Sequence, residues 1–212
     1  MMVRRRAFNV DPAGKDGYLL YGNPVFSFED GVTCLVGCNG SGKTTLMERM
    51  QKILKDLDIP YKRHYDKEAK GRLESKAMMG GARDDIFAAL DKNFVSEGES
   101  ISYTLGHMAK EIGKFVFHTE GEELWIFFDS MDSGLSVDAI GEVADLLDLI
   151  VRTKPEGIHI YIVMAVNSFE FAWRYDCVDV QTAEHVKFED YEDYRDFIFH
   201  TREVKDQAEK AW

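Results

Sequence analysis

The apolar residues change their period along the chain, and each change marks an element. Tyr18–Tyr21, Val25–Phe28 and Val32–Val36 read as short strands, punctuated by turns at Gly22-Asn23-Pro24 and Glu29-Asp30-Gly31. The third is a mostly apolar run, the pattern of a buried parallel strand. Leu46, Met50, Ile53, Leu54 and Leu57 then recur at helical spacing until Pro60 stops the helix. Between 61 and 93 the pattern is mixed and polar, with short helices expected over Ala69–Met79 and Ala82–Leu90. Ile101, Leu105, Met108 and Ile112 predict a helix over about 98–114, with 115–118 as a candidate strand. Leu124–Phe128 is a buried strand ending in Asp129. A helix over 137–152 follows, with Ser136 as its N-cap, then a buried strand over Ile158–Val166 and a short one over Cys177–Val180. Residues 190–211 are charged and helical in pattern.

Strands alternating with helices predict an α/β fold: a mostly parallel sheet flanked by helices, with an N-terminal antiparallel β subdomain and a small helical insertion. The chain has 212 residues, which suits a single domain over 1–212, with 61–114 as a helical subdomain and 190–212 as a C-terminal helix.

Net charge is −12, so wrapping by nucleic acid is not the default expectation. Arg4-Arg5-Arg6 is the densest basic run and reads as a solvated terminus. Cys34, Cys38 and Cys177 are odd in number and form no CxxC, which argues against a disulfide framework or zinc site. No apolar run reaches membrane-spanning length, and a cytoplasmic location is expected.

The chemistry concentrates at Gly37-Cys38-Asn39-Gly40-Ser41-Gly42-Lys43-Thr44. Glycines there let successive backbone N–H groups converge on phosphate oxygens, at the positive end of the helix that follows. This run is the P-loop, or Walker A, pattern. ATP is the expected ligand, held by Asn39, Gly40, Ser41, Gly42, Lys43, Thr44 and Thr45. Lys43 is expected to face solvent in the empty loop and to reach the β- and γ-phosphates. The Thr44 hydroxyl would ligate Mg²⁺, with Asp129 at the neighbouring strand end as its partner.

Val95-Ser96-Glu97-Gly98-Glu99 stands before a helix, and Ser130-Met131-Asp132-Ser133-Gly134-Leu135-Ser136 follows Asp129. With the Asn-Gly-Ser-Gly-Lys-Thr-Thr run, these segments resemble the signature motif, D-loop and phosphate loop of ABC-type ATPases. The long gap from signature to Asp129 is closer to the chromosome-maintenance and recombination branch (SMC, Rad50 and RecF-like). The resemblance covers 18–172. It implies a head-to-tail homodimer in which each ATP meets the partner copy's signature serine and glycine, here at positions 96 and 98. It also implies ATP hydrolysis by a switch or motor subunit, in a nucleic-acid processing or sensing assembly whose effector chemistry sits on another protein chain.

The chain departs from that pattern. Ser130 stands where the family carries a glutamate that polarises the attacking water, and a serine hydroxyl is a poor base. Asp132 is the substitute candidate. Asn167 takes the place of the family's phosphate-contacting histidine, and none of the six histidines falls there. Gln51 lies in the first helix, so no glutamine loop is assigned. Segment 51–95 is too short for a long coiled coil. Slow hydrolysis is therefore expected. Three rivals remain: a small-molecule kinase with Arg63, Arg72 and Arg83 as lid, a transporter-coupling ATPase, and a non-hydrolysing structural subunit.

Overall fold

A computed structural model describes residues 4–14, 19–65 and 97–210. Its centre is a six-stranded sheet built from β3 (Gly31–Val36), β4 (Tyr61–Tyr65), β5 (Glu123–Asp129), β6 (His159–Ala165), β7 (Asp176–Asp179) and β8 (His185–Val186). The order across the sheet is β4-β5-β6-β3-β7-β8, parallel throughout except for the last pair. A separate antiparallel pair joins β1 (Arg5–Asn9) to β2 (Val25–Glu29). Among the described residues the helices are α1 (Lys43–Asp56), α2 (Glu97–His118), α3 (Val137–Thr153), α4 (Phe169–Arg174) and α5 (Tyr191–Lys210).

The central strands are apolar at nearly every position because both sheet faces are covered. On one face Leu35, Trp125, Phe127, Tyr161 and Val163 pack with Leu46, Met47, Met50 and Leu54 of α1, and with Phe8, Phe26 and Phe28 of the β1–β2 pair. Trp125 stacks on Tyr161 at 4.3 Å and 5° and meets Phe8 edge-on at 5.0 Å. On the other face Cys34, Val36, Ile126, Phe128, Ile160, Ile162 and Met164 pack with residues of α2, α3 and α4. Adjacent residues of one strand thus belong to different cores, as the two-residue strand period requires.

Several expectations need correction. Arg4 and Arg5 are exposed, as a solvated run requires, but Arg5–Asn9 is also a strand: Arg5 pairs with Glu29 at 2.5 Å, and Arg6 lies 3.6 Å from the buried Glu123. Of the strand expected at Tyr18–Tyr21, Tyr18 lies outside the described residues and 19–21 show an isolated bridge at Leu19. Tyr61–Tyr65, taken as part of a helical segment, is the parallel edge strand β4. Residues 115–118 continue α2 because Ile112 and Val116 keep a helical spacing into the core. Leu57 and Val137 are exposed despite their place in an apolar helical pattern. The helices expected over Ala69–Met79 and Ala82–Leu90 lie outside the described residues. All three cysteines are free and buried. No described helix is long and apolar enough to cross a membrane.

Candidate functional site

The phosphate loop leaves the C-terminal end of β3 and runs into α1. Asp129 ends β5, and Asn167 follows β6 by two residues. In a parallel sheet these strand ends open onto one crevice, and α1 aims its N-terminus there. Gly37 and Gly42 make the loop's path possible. Gly37 has φ 139°, and a Cβ on it would meet Ser41 Oγ at 2.8 Å. Gly42 has φ 99°, with the Tyr21 ring about 3.0 Å from where its Cβ would be. The buried Tyr21 hydroxyl also donates to Gly42 O at 2.9 Å.

A cavity of about 410 Å³ lies over the loop, lined by Leu20, Asn39, Gly40, Lys43, Thr44, Thr45, Arg49, Asp129, Ser130 and Asn167. Its volume falls within the range of small-molecule sites. The structure thus brings together the expected loop residues, Asp129 and Asn167.

Lys43 does not face solvent. It is 8% exposed, and its ammonium donates to Gly37 O at 2.6 Å and Cys38 O at 3.2 Å. Burial pulls its pKa below the usual lysine value, against the opposing pull of Cys38, Asp132 and Asp129. Two loop carbonyls thus give this buried ammonium its oxygen acceptors.

Thr44 Oγ1 donates to Asp129 Oδ1 at 2.9 Å. The pair offers hard oxygen donors side by side, which suits Mg²⁺ completed by phosphate and water oxygens. Among the described residues no cluster of three or more His, Cys, Asp or Glu side chains could hold a metal ion unaided.

The other oxygen, Asp129 Oδ2, accepts from Arg63 Nη2 at 2.7 Å. Arg63 Nη1 lies 3.4 Å from Gln51 Oε1 and 3.6 Å from Glu48 Oε1. Sequence reasoning took Arg63 only as a candidate lid residue. The signal lay in Tyr61-Lys62-Arg63-His64-Tyr65, where strand alternation turns position 63 toward α1.

Ser130 has φ 57°, left-handed backbone that is uncommon for serine and places it directly after the aspartate. Asp132 Oδ2 accepts the backbone N–H groups of Asn167 at 2.5 Å and Ser168 at 2.6 Å. One oxygen of the proposed substitute base is therefore occupied in holding the loop after β6, while Oδ1 is buried with no hydrogen-bond partner among the described residues. Ser96 lies outside the described residues. Gly98 lies within α2.

A further contact escaped the sequence. Cys38 N–H donates to Thr201 Oγ1 of α5 at 3.0 Å, and Lys205 lies against Gly40. A second cavity of about 210 Å³ separates α5 from the loop and includes Arg195 and Arg202.

A parallel sheet whose central strand opens into a glycine-bound phosphate loop, with an aspartate at the same end of the next strand but one, defines a P-loop NTPase fold. The most informative likenesses are to solved structures. MJ1267, an ATP-binding cassette of an ABC transporter in its ADP conformation, is 12% identical, with 97% of this chain and 98% of that one covered and a TM-score of 0.52. The cbiO1 protein of Clostridium perfringens, part of the ABC transporter complex cbiONQ, is 14% identical, with coverage of 94% and 92% and a TM-score of 0.51. No family model matches the chain, and no curated protein sequence matches it. The chain has the fold of an ATP-binding cassette.

Proposed function

We propose that this chain binds ATP with Mg²⁺ and works as a nucleotide-gated switch that hydrolyses slowly. The carrying observation is the Thr44–Asp129 hydrogen bond at 2.9 Å, beside a phosphate loop whose lysine is already held over the same cavity. Mg²⁺ bound at Thr44 and Asp129 would offset phosphate charge. The chain's own residues bind and orient: loop N–H groups and Lys43 take the phosphates, and Asn167 offers an uncharged contact at their outer end.

Slow turnover follows from Ser130, which brings no carboxylate, and from Asp132, whose Oδ2 is engaged by two backbone N–H groups. ATP would complete a head-to-tail homodimer through Ser96 and Gly98 of the partner copy. The sequence spacing favours a nucleic-acid assembly of the SMC, Rad50 and RecF-like branch. The likeness to transporter cassettes favours a setting in which the partner chain supplies membrane helices. In both, effector activity belongs to another protein chain. A P-loop kinase remains the enzymatic alternative, and product analysis separates it from an ATPase.

The test measures ATP binding by calorimetry with and without Mg²⁺, and mass by light scattering with ATP and with a non-hydrolysable analogue. The reading expects micromolar-range binding and a nucleotide-dependent dimer. No binding would reject the nucleotide site; binding at constant mass would reject the sandwich for the isolated chain.

A further inference from the structure

The arginine beside the metal-site aspartate calls for its own account. Arg63 projects from β4, whose Arg63 is in register with Phe127 of β5, two residues before Asp129. Both side chains are largely withdrawn from water, Arg63 at 7% exposure and Asp129 at 12%. Their 2.7 Å contact is therefore a charge-assisted hydrogen bond with little solvent screening. Glu48 and Gln51 of α1 approach the other guanidinium nitrogen, which fixes the fork in place. Asp129 thus has one oxygen taken by the Thr44 hydroxyl and the other by a fixed cation.

We propose that Arg63 is the resident counter-ion of the nucleotide site, which keeps divalent ions from occupying Asp129 until they arrive with nucleotide. The proposal rests on the Mg²⁺–ATP reading above and adds an order to it. A free dication approaching Asp129 meets a like charge a few ångströms away and gains at most a half-engaged carboxylate. A dication carried by nucleotide brings phosphate negative charge, which offsets the same repulsion. Lysine would serve less well at this position, because its point charge cannot bridge Asp129 and the α1 acceptors at once.

The experiment uses Mn²⁺ alone as the probe, with nucleotide-free protein, and reads free Mn²⁺ by electron paramagnetic resonance. Arg63→Met should bind Mn²⁺ about tenfold or more tightly than wild type, the scale of removing one near like charge. Arg63→Lys should fall between them. Asp129→Asn in the Arg63→Met background should abolish the gain, which assigns the ion to that carboxylate. The Mg²⁺ concentration that half-saturates its effect on ATP binding should also fall in Arg63→Met. Equal Mn²⁺ affinity in wild type, Arg63→Met and Arg63→Lys, with circular dichroism showing all three folded, would overturn the proposal. If Arg63→Met does not fold, Arg63→Gln, which also removes the charge, decides: unchanged Mn²⁺ affinity there overturns it. The Mn²⁺ titration contains no nucleotide, so failure of the ATP reading shows separately, as absent ATP binding in wild type.

Discussion

Thr201 on the last helix accepts a hydrogen bond from the backbone N–H of Cys38 in the phosphate loop, at 3.0 Å, with Thr201 1% exposed. The same hydroxyl donates to Ile198 O at 2.9 Å, and Gln181 Nε2 donates to Thr201 O at 3.0 Å. One loop amide is thus committed to α5 before any phosphate arrives. The Thr201→Val substitution keeps shape and leaves that amide buried without a partner. It should cost about 1–2 kcal/mol of stability and weaken ATP binding about three- to tenfold. Thr201→Ser should retain most of both. Thermal melts and titration calorimetry on the two variants check this.

Lys43 carries a desolvation cost, partly offset by its two carbonyl acceptors. Lys43→Ala should therefore abolish measurable ATP binding while moving the melting temperature by no more than about 3 °C. A larger fall in melting temperature would show that the ammonium is a net structural anchor of the loop.

Restoring a base at position 130 meets the backbone. Ser130 has φ 57°, where any residue with a Cβ is strained. Ser130→Glu, with or without Asn167→His, should raise phosphate release with little change in stability, because serine already bears that strain. Ser130→Gly should gain about 0.5–1 kcal/mol and leave turnover low. Steady-state phosphate release and chemical unfolding measure both arms.

Asp132 is expected to act by positioning. Asp132→Asn keeps an acceptor for the Asn167 and Ser168 amides and should retain most of the wild-type turnover, whereas Asp132→Ala should lose it and cost about 1–3 kcal/mol. Complete loss of phosphate release in a fully stable Asp132→Asn protein would return the base role to this residue.

Far from the site, Asp30 receives Lys154 Nζ at 3.0 Å and His159 Nδ1 at 3.2 Å. Burial raises its pKa, but the hydrogen bonds from Lys154 and His159 outweigh it, so the folded value lies below the ordinary one. A depressed carboxylate pKa contributes stability above the unfolded value, near 3.8, and loses it as pH falls through the folded value. Asp30→Asn should cost about 1–2 kcal/mol at pH 7, and the gap to wild type should close below about pH 4. Urea titrations across that range test it.

What the sequence disclosed follows from which signals are local. The phosphate loop, Leu124–Asp129 and the helix over 137–152 announce themselves through motif order and unbroken period. β1 hides because its arginines find Glu29 and Glu123, distant in sequence, only after folding. β4 hides because Tyr61-Lys62-Arg63-His64-Tyr65 is polar by composition. Its Arg63 becomes buried only once Asp129 offers a countercharge. Thr201 looks like one polar residue in a charged helix, and nothing nearby in sequence points to Cys38.

The placement of β3 reaches beyond nucleotide chemistry. It lies between β6 and β7, parallel to both, with Leu35 in one core and Cys34 and Val36 in the other. No local fraying can free its amides without separating both halves of the sheet. Under native-state deuterium exchange, the amides of residues 33–36 should therefore open only through global unfolding, while β8, which pairs through two residues at the edge, exchanges early. The strand that carries the phosphate loop is then the last part of the chain to loosen, so force applied between the two cores would reach the loop only at rupture of the whole domain.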